Sequence, residues 1–154
     1  MATKAAGPVL DDQVCFALYA ASRAVTALYR PLLEGLGLTY PQYLVLLALW
    51  EHDELTVTEL GHSLQLDSGT LSPMLKRLEK LELVRRERRT DDERSVRVAL
   101  TDRGRALREK AVPLPGVIGD AMGMDDIELS ELRQTLRGLT ESVNAYRGAL
   151  PESG

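Results

Sequence analysis

Residues 56–82 carry two short helical patterns separated by a tight polar turn, and from Leu83 onward the hydrophobic period drops to two. Thr56-Val-Thr-Glu59 is a capping box that opens the first pattern, with Leu60 and Leu64 on one face. Leu66-Asp-Ser-Gly69 is a turn rich in capping residues, and the second pattern predicts burial of Leu71, Leu75, Leu78 and Leu81. Val84-Arg-Arg-Glu-Arg-Arg89 and Val96-Arg-Val-Ala-Leu100 then read as strands around the polar tip Thr90–Ser95, with Val96, Val98 and Leu100 on alternate positions. Two short helices, a tight turn and a hairpin leave few architectures open. The pattern predicts a winged helix-turn-helix over residues 56–100.

Long helices flank this module. Leu10, Val14, Leu18, Ala21, Val25, Leu28 and Leu32 recur at spacings of four and three, and the run ends between Pro31 and Gly35, where proline and glycine oppose continuation. Thr39-Tyr-Pro-Gln42 is a second capped start, followed by Tyr43, Leu46, Leu47 and Trp50. Thr101-Asp-Arg-Gly104 caps a fifth helix, interrupted near Pro113–Gly116, and Leu132, Leu136, Leu139, Val143 and Tyr146 mark the last one, with Asp125-Asp126 as its cap and dipole partner. A winged core this small cannot cover all of these apolar stripes, so the long N- and C-terminal helices are expected to pack together across a homodimer. The expected class is mainly α. One domain would fill residues 1–154, with 9–53 and 101–148 supplying the helices for dimerisation and sensing.

Composition narrows the chemistry. With 154 residues the chain has room for one ordinary domain. Its single cysteine, Cys15, excludes a disulfide framework or an all-cysteine metal cage, and only two histidines are present, His52 and His62. His62 reads as a surface or packing residue, and Met74 and Met124 as packing residues. No phosphate loop, His-Glu-x-x-His or Gly-x-Ser-x-Gly motif occurs, so no enzyme activity, metal or cofactor is expected. No apolar run is long enough to span a bilayer or serve as a secretion signal, so a cytoplasmic protein without membrane attachment is expected.

The net charge of −4 disguises an uneven distribution: residues 56–104 hold ten basic and nine acidic groups, while acids dominate both flanks. The second short helix begins with Asp67, Ser68, Thr70 and Ser72, short polar side chains of the kind that approach base edges, and continues with Lys76, Arg77 and Lys80 for phosphate. The hairpin adds Arg86, Arg88, Arg94 and Arg97, and an arginine at its tip suits a narrow minor groove. The competing reading is a solvated charged face on a protein-interaction module.

The segment Leu64-Gln-Leu-Asp-Ser-Gly-Thr-Leu-Ser-Pro-Met-Leu-Lys-Arg-Leu-Glu79 resembles the recognition segment of MarR-family repressors. Asp92-Glu-Arg94, together with Leu100-Thr-Asp-Arg-Gly104, resembles that family's wing signature. The resemblance covers nearly the whole chain. It implies a winged-helix homodimer on a pseudo-palindromic duplex operator, with Asp92 holding Arg94 towards the minor groove.

Cys15 has an unusual setting. At about 100° per residue, Tyr19, Ser22, Thr26 and Tyr29 all fall within roughly 40° of its line, away from the aliphatic stripe. Tyr29 lies about 21 Å farther along the same helix and cannot touch Cys15 of its own chain. Two such helices crossing antiparallel would bring Tyr29 of one chain to Cys15 of the other, where Tyr40 could join. Phenol donors favour the thiolate, the form that peroxides oxidise.

Cys15-Phe-Ala-Leu-Tyr-Ala-Ala-Ser-Arg23, with Tyr29, Tyr40 and Lys110-Ala-Val-Pro-Leu-Pro-Gly116, is similar to the organic hydroperoxide-resistance repressors within that family. The resemblance implies that Cys15 is the sensor, that Tyr29 and Tyr40 hold its sulfur from the other subunit, and that Tyr19 is a pocket wall. Some members resolve the sulfenic acid with a second cysteine near the C-terminus. This chain has none, which implies the one-cysteine type, finished by a small cellular thiol or by over-oxidation. Three rivals stay open at this point. They are a repressor released by a small aromatic ligand with Cys15 only structural, a thiol peroxidase, and a protein-interaction module.

Overall fold

A computed structural model of the chain describes residues 9–88 and 96–151. Arg89, Asp92 and Arg94 lie outside the described residues. The chain divides into two compact units, a larger one through Leu114 and a smaller one from Pro115.

The larger unit opens with a short 3-10 turn, Leu10–Asp12, followed by α1 (Val14–Glu34). Leu10 therefore stands apart from the helix to which its spacing assigned it, because Gln13 is extended and breaks the pattern. Pro31 sits inside α1 within its last turn, where the missing N–H costs one helical bond. Past Gly35 the chain turns at Gly37, whose φ is +70°, and Leu38 N–H returns to the Leu33 carbonyl.

Both expected capping boxes form. Thr39 and Gln42 bond reciprocally at 3.4 and 3.0 Å to open α2 (Tyr40–His52). Thr56 and Glu59 do so at 3.0 and 2.9 Å to open α3 (Val57–Leu64). The expected stripe on α2 needs correction. Tyr43 and Leu46 are buried with Val45 and Leu49, whereas Leu47 is exposed. This helix is apolar on nearly every face, so spacing alone does not select the inner one.

From α3 the chain turns through Gln65, in the left-handed region at φ 55°, into α4 (Ser68–Lys80). Gly61 makes this corner possible, because a Cβ there would stand 2.7 Å from the Leu66 carbonyl oxygen. Leu71, Leu75 and Leu78 of α4 are fully buried, but Leu81 is not. The helix stops at Lys80 and the backbone reverses at Glu82, φ 59°, which carries Leu81 off the buried face.

Three antiparallel strands follow the order β1-β3-β2: β1 (Glu54–Thr56), β2 (Val84–Arg88) and β3 (Val96–Leu100). β2 runs in register from Val84 opposite Leu100 to Arg88 opposite Val96, the stem of the expected hairpin. β1 was not foreseen; its three residues pair with Arg97–Ala99 of β3 and make that strand central. Val98, Ala99 and Leu100 are consequently all buried, and the expected alternation is lost at this end of the strand.

Thr101 caps α5 (Asp102–Ala111), its hydroxyl accepting from Gly104 N–H at 3.0 Å and donating to the Glu82 carbonyl at 2.6 Å. Leucines of α2, α3 and α4 and the inner sheet residues form one core with Leu33, Leu38, Ala111 and Leu114.

The smaller unit holds nearly all of α6 (Leu114–Met122) and α7 (Asp126–Ala149). Asp125 and Glu128 form the cap expected before α7. Along α7, Leu132, Leu139, Val143 and Tyr146 are exposed. None of the helices described is long and apolar enough to cross a membrane.

Candidate functional site

The buried leucines of α4 fix which of its side chains face outward. With Leu71, Leu75 and Leu78 inside, Ser68, Thr70, Lys76, Arg77 and Lys80 are exposed and Ser72 is half-buried. Asp67 is committed differently from the other leading residues. Its carboxylate accepts the Thr70 N–H at 2.7 Å as the helix cap, and this hydrogen bonding to Thr70 holds its pKa below the usual aspartate range. The carboxylate thus engages both the backbone N–H and the side chain of Thr70, and Ser68 and Ser72 are the leading hydroxyls that this cap does not use. The positive end of the helix dipole adds to the attraction for a phosphate.

The arginines of the hairpin stem are more engaged than their spacing suggests. Arg86 donates from Nε to Glu79 Oε1 of α4. Arg85 pairs with Glu87 at 2.8 Å, and Arg97 of β3 reaches Glu54 of β1 at 2.7 Å. Arg88 is exposed and forms no ion pair with another described residue. The Arg85–Glu87 pair follows from period-two spacing along one strand, whereas sequence spacing could not show the other two, which depend on helix-to-strand packing and on strand pairing.

The stem is braced from behind. Asp53, at φ 64° between α2 and β1, receives two bonds from Arg105, at 2.9 and 3.3 Å. Hydrogen bonding to Arg105 is the main reason its pKa is lowered. Trp50 Nε1–H donates to the Gly104 carbonyl at 2.8 Å, joining α2 to α5.

Cys15, in the first turn of α1, is exposed and free. Tyr19 is exposed beside it, with the Arg23 guanidinium 5.5 Å from its ring centroid, a cation–π contact. Within the stripe, Thr26 Oγ1 donates to the Ser22 carbonyl at 2.8 Å. Tyr29 and Tyr40 do come together. Their ring centroids are 4.6 Å apart where the end of α1 meets the start of α2.

A third member was missed. Tyr43 lies 5.7 Å from Tyr29 and 6.4 Å from Tyr40, and its other side meets Trp50 at 6.2 Å. The i,i+3 spacing of Tyr40 and Tyr43 signals a shared turn of α2, but by residue type alone Tyr43 reads as an apolar position. Burial raises the pKa of all three phenols, and with Tyr40 and Tyr43 alongside, Tyr29 reaches about 12. They are therefore uncharged O–H donors across the physiological range. Among the described residues no group of His, Cys, Asp and Glu is placed to hold a metal ion.

A family model described as transcriptional regulator SarA/Rot matches residues 27–111. The organic hydroperoxide resistance transcriptional regulator of Bacillus subtilis (strain 168) is 50% identical over 135 residues, covering 88% of this chain and 92% of that protein. A structure of reduced AbfR bound to DNA, a protein also solved from Staphylococcus epidermidis, superposes with a TM-score of 0.77 at 36% identity, covering 89% of this chain and 94% of that one. Overoxidized AbfR bound to DNA gives 0.65 at 39% identity, with 84% and 94% covered.

Proposed function

The chain belongs to the MarR family of winged-helix transcriptional regulators, within its one-cysteine organic hydroperoxide-resistance type, and on that basis we propose that it is a homodimeric repressor that leaves its operator when an organic hydroperoxide oxidises Cys15. The observation that carries this reading is the pairing of an exposed cysteine on α1 with a cluster of uncharged phenols at the far end of the same helix.

The span between them, about 21 Å, prevents contact within one chain. An antiparallel crossing of two α1 helices in a dimer joins each Cys15 to the partner's phenols, and Val14, Phe16 and Tyr19 supply exposed apolar surface for that crossing. Tyr29 and Tyr40 then donate O–H bonds to the sulfur and stabilise it as thiolate. Tyr19 borders the site.

Cys15 thiolate attacks the outer peroxide oxygen. The O–O bond breaks, its electron pair leaves on the alkoxide, and one proton completes the alcohol, giving a sulfenic acid. A small cellular thiol then displaces water from that acid to form a mixed disulfide. Either product is larger than the thiolate and no longer matches the phenol donors. The α1 crossing shifts, and the two α4 helices lose their spacing of about 34 Å, one turn of duplex. In the reduced state Ser68, Thr70 and Ser72 read base edges, and Lys76, Arg77 and Arg88 meet phosphate.

A second reading, release by a small aromatic ligand, is favoured by one observation. A cavity of ≈ 430 Å³ has a leucine-rich wall from Leu36, Leu81, Leu83 and Leu107, with Arg103 and Lys110 at its margin. Duplex binding before and after a stoichiometric organic hydroperoxide, on wild type and Cys15→Ser, separates the two. Release confined to wild type supports the sensor. Equal release by both proteins, or none, refutes it, and release by aromatic acids alone supports the second reading.

A further inference from the structure

We propose that Arg86 acts on DNA affinity through the recognition helix and not through phosphate: paired with Glu79, it is a strut that sets the angle between α4 and the wing. This rests on the reading that the winged helix binds duplex DNA.

Three observations converge. The first is placement. Val84, Arg86 and Arg88 occupy alternate positions of β2 and share one face, and burial falls along it from Val84, buried, through Arg86, half-buried, to Arg88, exposed. Arg86 thus stands midway along β2, in register with the fully buried Val98 of the central strand.

The second is desolvation. The side chains of Arg86 and Glu79 are 28% and 34% exposed, against 55% and 58% for the neighbouring Arg85–Glu87 pair. A partly desolvated pair holds its partners more firmly than a surface pair, since separating it strands a charge with reduced hydration. A phosphate would have to displace a carboxylate already in place.

The third is the charge of α4 itself. Glu79 lies among Lys76, Arg77 and Lys80 on a helix that must approach a polyanion. Left alone it would repel the duplex. Arg86 neutralises it and ties the last turn of α4 to the first strand of the wing, the two elements that enter adjacent grooves. Arg86 is a positioning residue on this account, and the stem offers fewer phosphate contacts than its arginine count suggests.

Counterion release distinguishes a strut from a phosphate contact. Each phosphate contact adds about 0.9 to the slope of log affinity against log salt, so a dimer losing two loses about two units. The measurement is duplex affinity across a salt series for wild type, Arg86→Gln, Glu79→Gln and the double variant. The probe is a short duplex selected by wild type from a random-sequence library, and thermal unfolding is followed in parallel.

The expected result is a loss of roughly tenfold in affinity for each single variant, with the wild-type slope retained. The double variant should be no weaker than the worse single, because the two residues act as one unit. A fall of about two slope units in Arg86→Gln, or tighter binding by Glu79→Gln, overturns the proposal. If Arg86→Gln does not fold, Glu79→Gln decides alone, since removing a repelling carboxylate strengthens binding unless that carboxylate is part of the strut. Absence of salt-dependent binding by wild type would instead refute the DNA-binding reading itself.

Discussion

Substituting Gly104 by alanine puts one methyl group where the root of the wing has no room. Gly104 is the third residue of α5, and a Cβ there would stand 2.1 Å from the Leu83 carbonyl oxygen and 3.1 Å from Leu100 Cδ2. The oxygen is backbone and already accepts the Thr101 N–H at 3.1 Å, so it has little freedom to retreat. Alanine would contribute up to about 1 kcal/mol in helix propensity. Against this stand an overpacking cost of about 1–3 kcal/mol or more and about 1 kcal/mol for weakening the Trp50 bond to the Gly104 carbonyl. The net expectation is a loss of about 2 kcal/mol. Because Leu83 immediately precedes β2, the wing should shift and duplex affinity should fall as well.

Gly116 is a matched control. It is also the third residue of its helix, α6, yet a Cβ there meets nothing within 4 Å, so Gly116→Ala should be neutral or stabilising. Urea unfolding at one fixed protein concentration reads both, since the stability of a dimer depends on concentration. If Gly104→Ala has the midpoint and slope of wild type, the close approach of α5 to Leu83 is wrong.

Asp67→Ala should lower stability through the lost cap and should also weaken duplex binding by fraying the start of α4, read by urea unfolding and by fluorescence anisotropy. Asp53 has a lowered pKa, so its contribution is present above the ordinary aspartate range and is lost as pH falls through its lower native value; Asp53→Asn should flatten the acid side of the stability–pH profile. Tyr29 has a raised pKa of about 12, so the folded state holds its proton while the unfolded chain gives it up near pH ~10; stability should fall as pH rises through that window, and Tyr29→Phe should remove the last phenolate to appear in an ultraviolet titration.

Much of the scaffold is visible in the chain itself, because its signals are local. Thr39/Gln42, Thr56/Glu59 and Asp125/Glu128 are spaced to cap their own helices, and the change of period at Leu83 needs no tertiary knowledge. Features set by packing were not visible. β1 is three residues long and is a strand only because Arg97–Ala99 lie beside it. On α2 an almost uniformly apolar sequence conceals that Leu47 faces out and that Tyr43 completes the phenol cluster. The same holds for charge. Arg86 reads as a phosphate ligand by type, and only the approach of α4 to β2 gives it Glu79.

The chemistry was legible to the extent that it depends on position along one helix. Cys15 and Tyr29 share a line on α1 but are too far apart to meet, which already points to a second chain. The coupling of oxidation to DNA release lies beyond any single residue, and one experiment addresses it directly. In one titration with an organic hydroperoxide, the fraction of duplex bound is measured alongside the fraction of Cys15 carrying added oxygen or thiol by mass spectrometry. The account predicts that bound duplex falls in step with Cys15 modification, that a reductant restores it from the sulfenic or mixed-disulfide form, and that Cys15→Ser stays bound throughout. Duplex still bound at full Cys15 modification, or release from Cys15→Ser at the same dose, would contradict it.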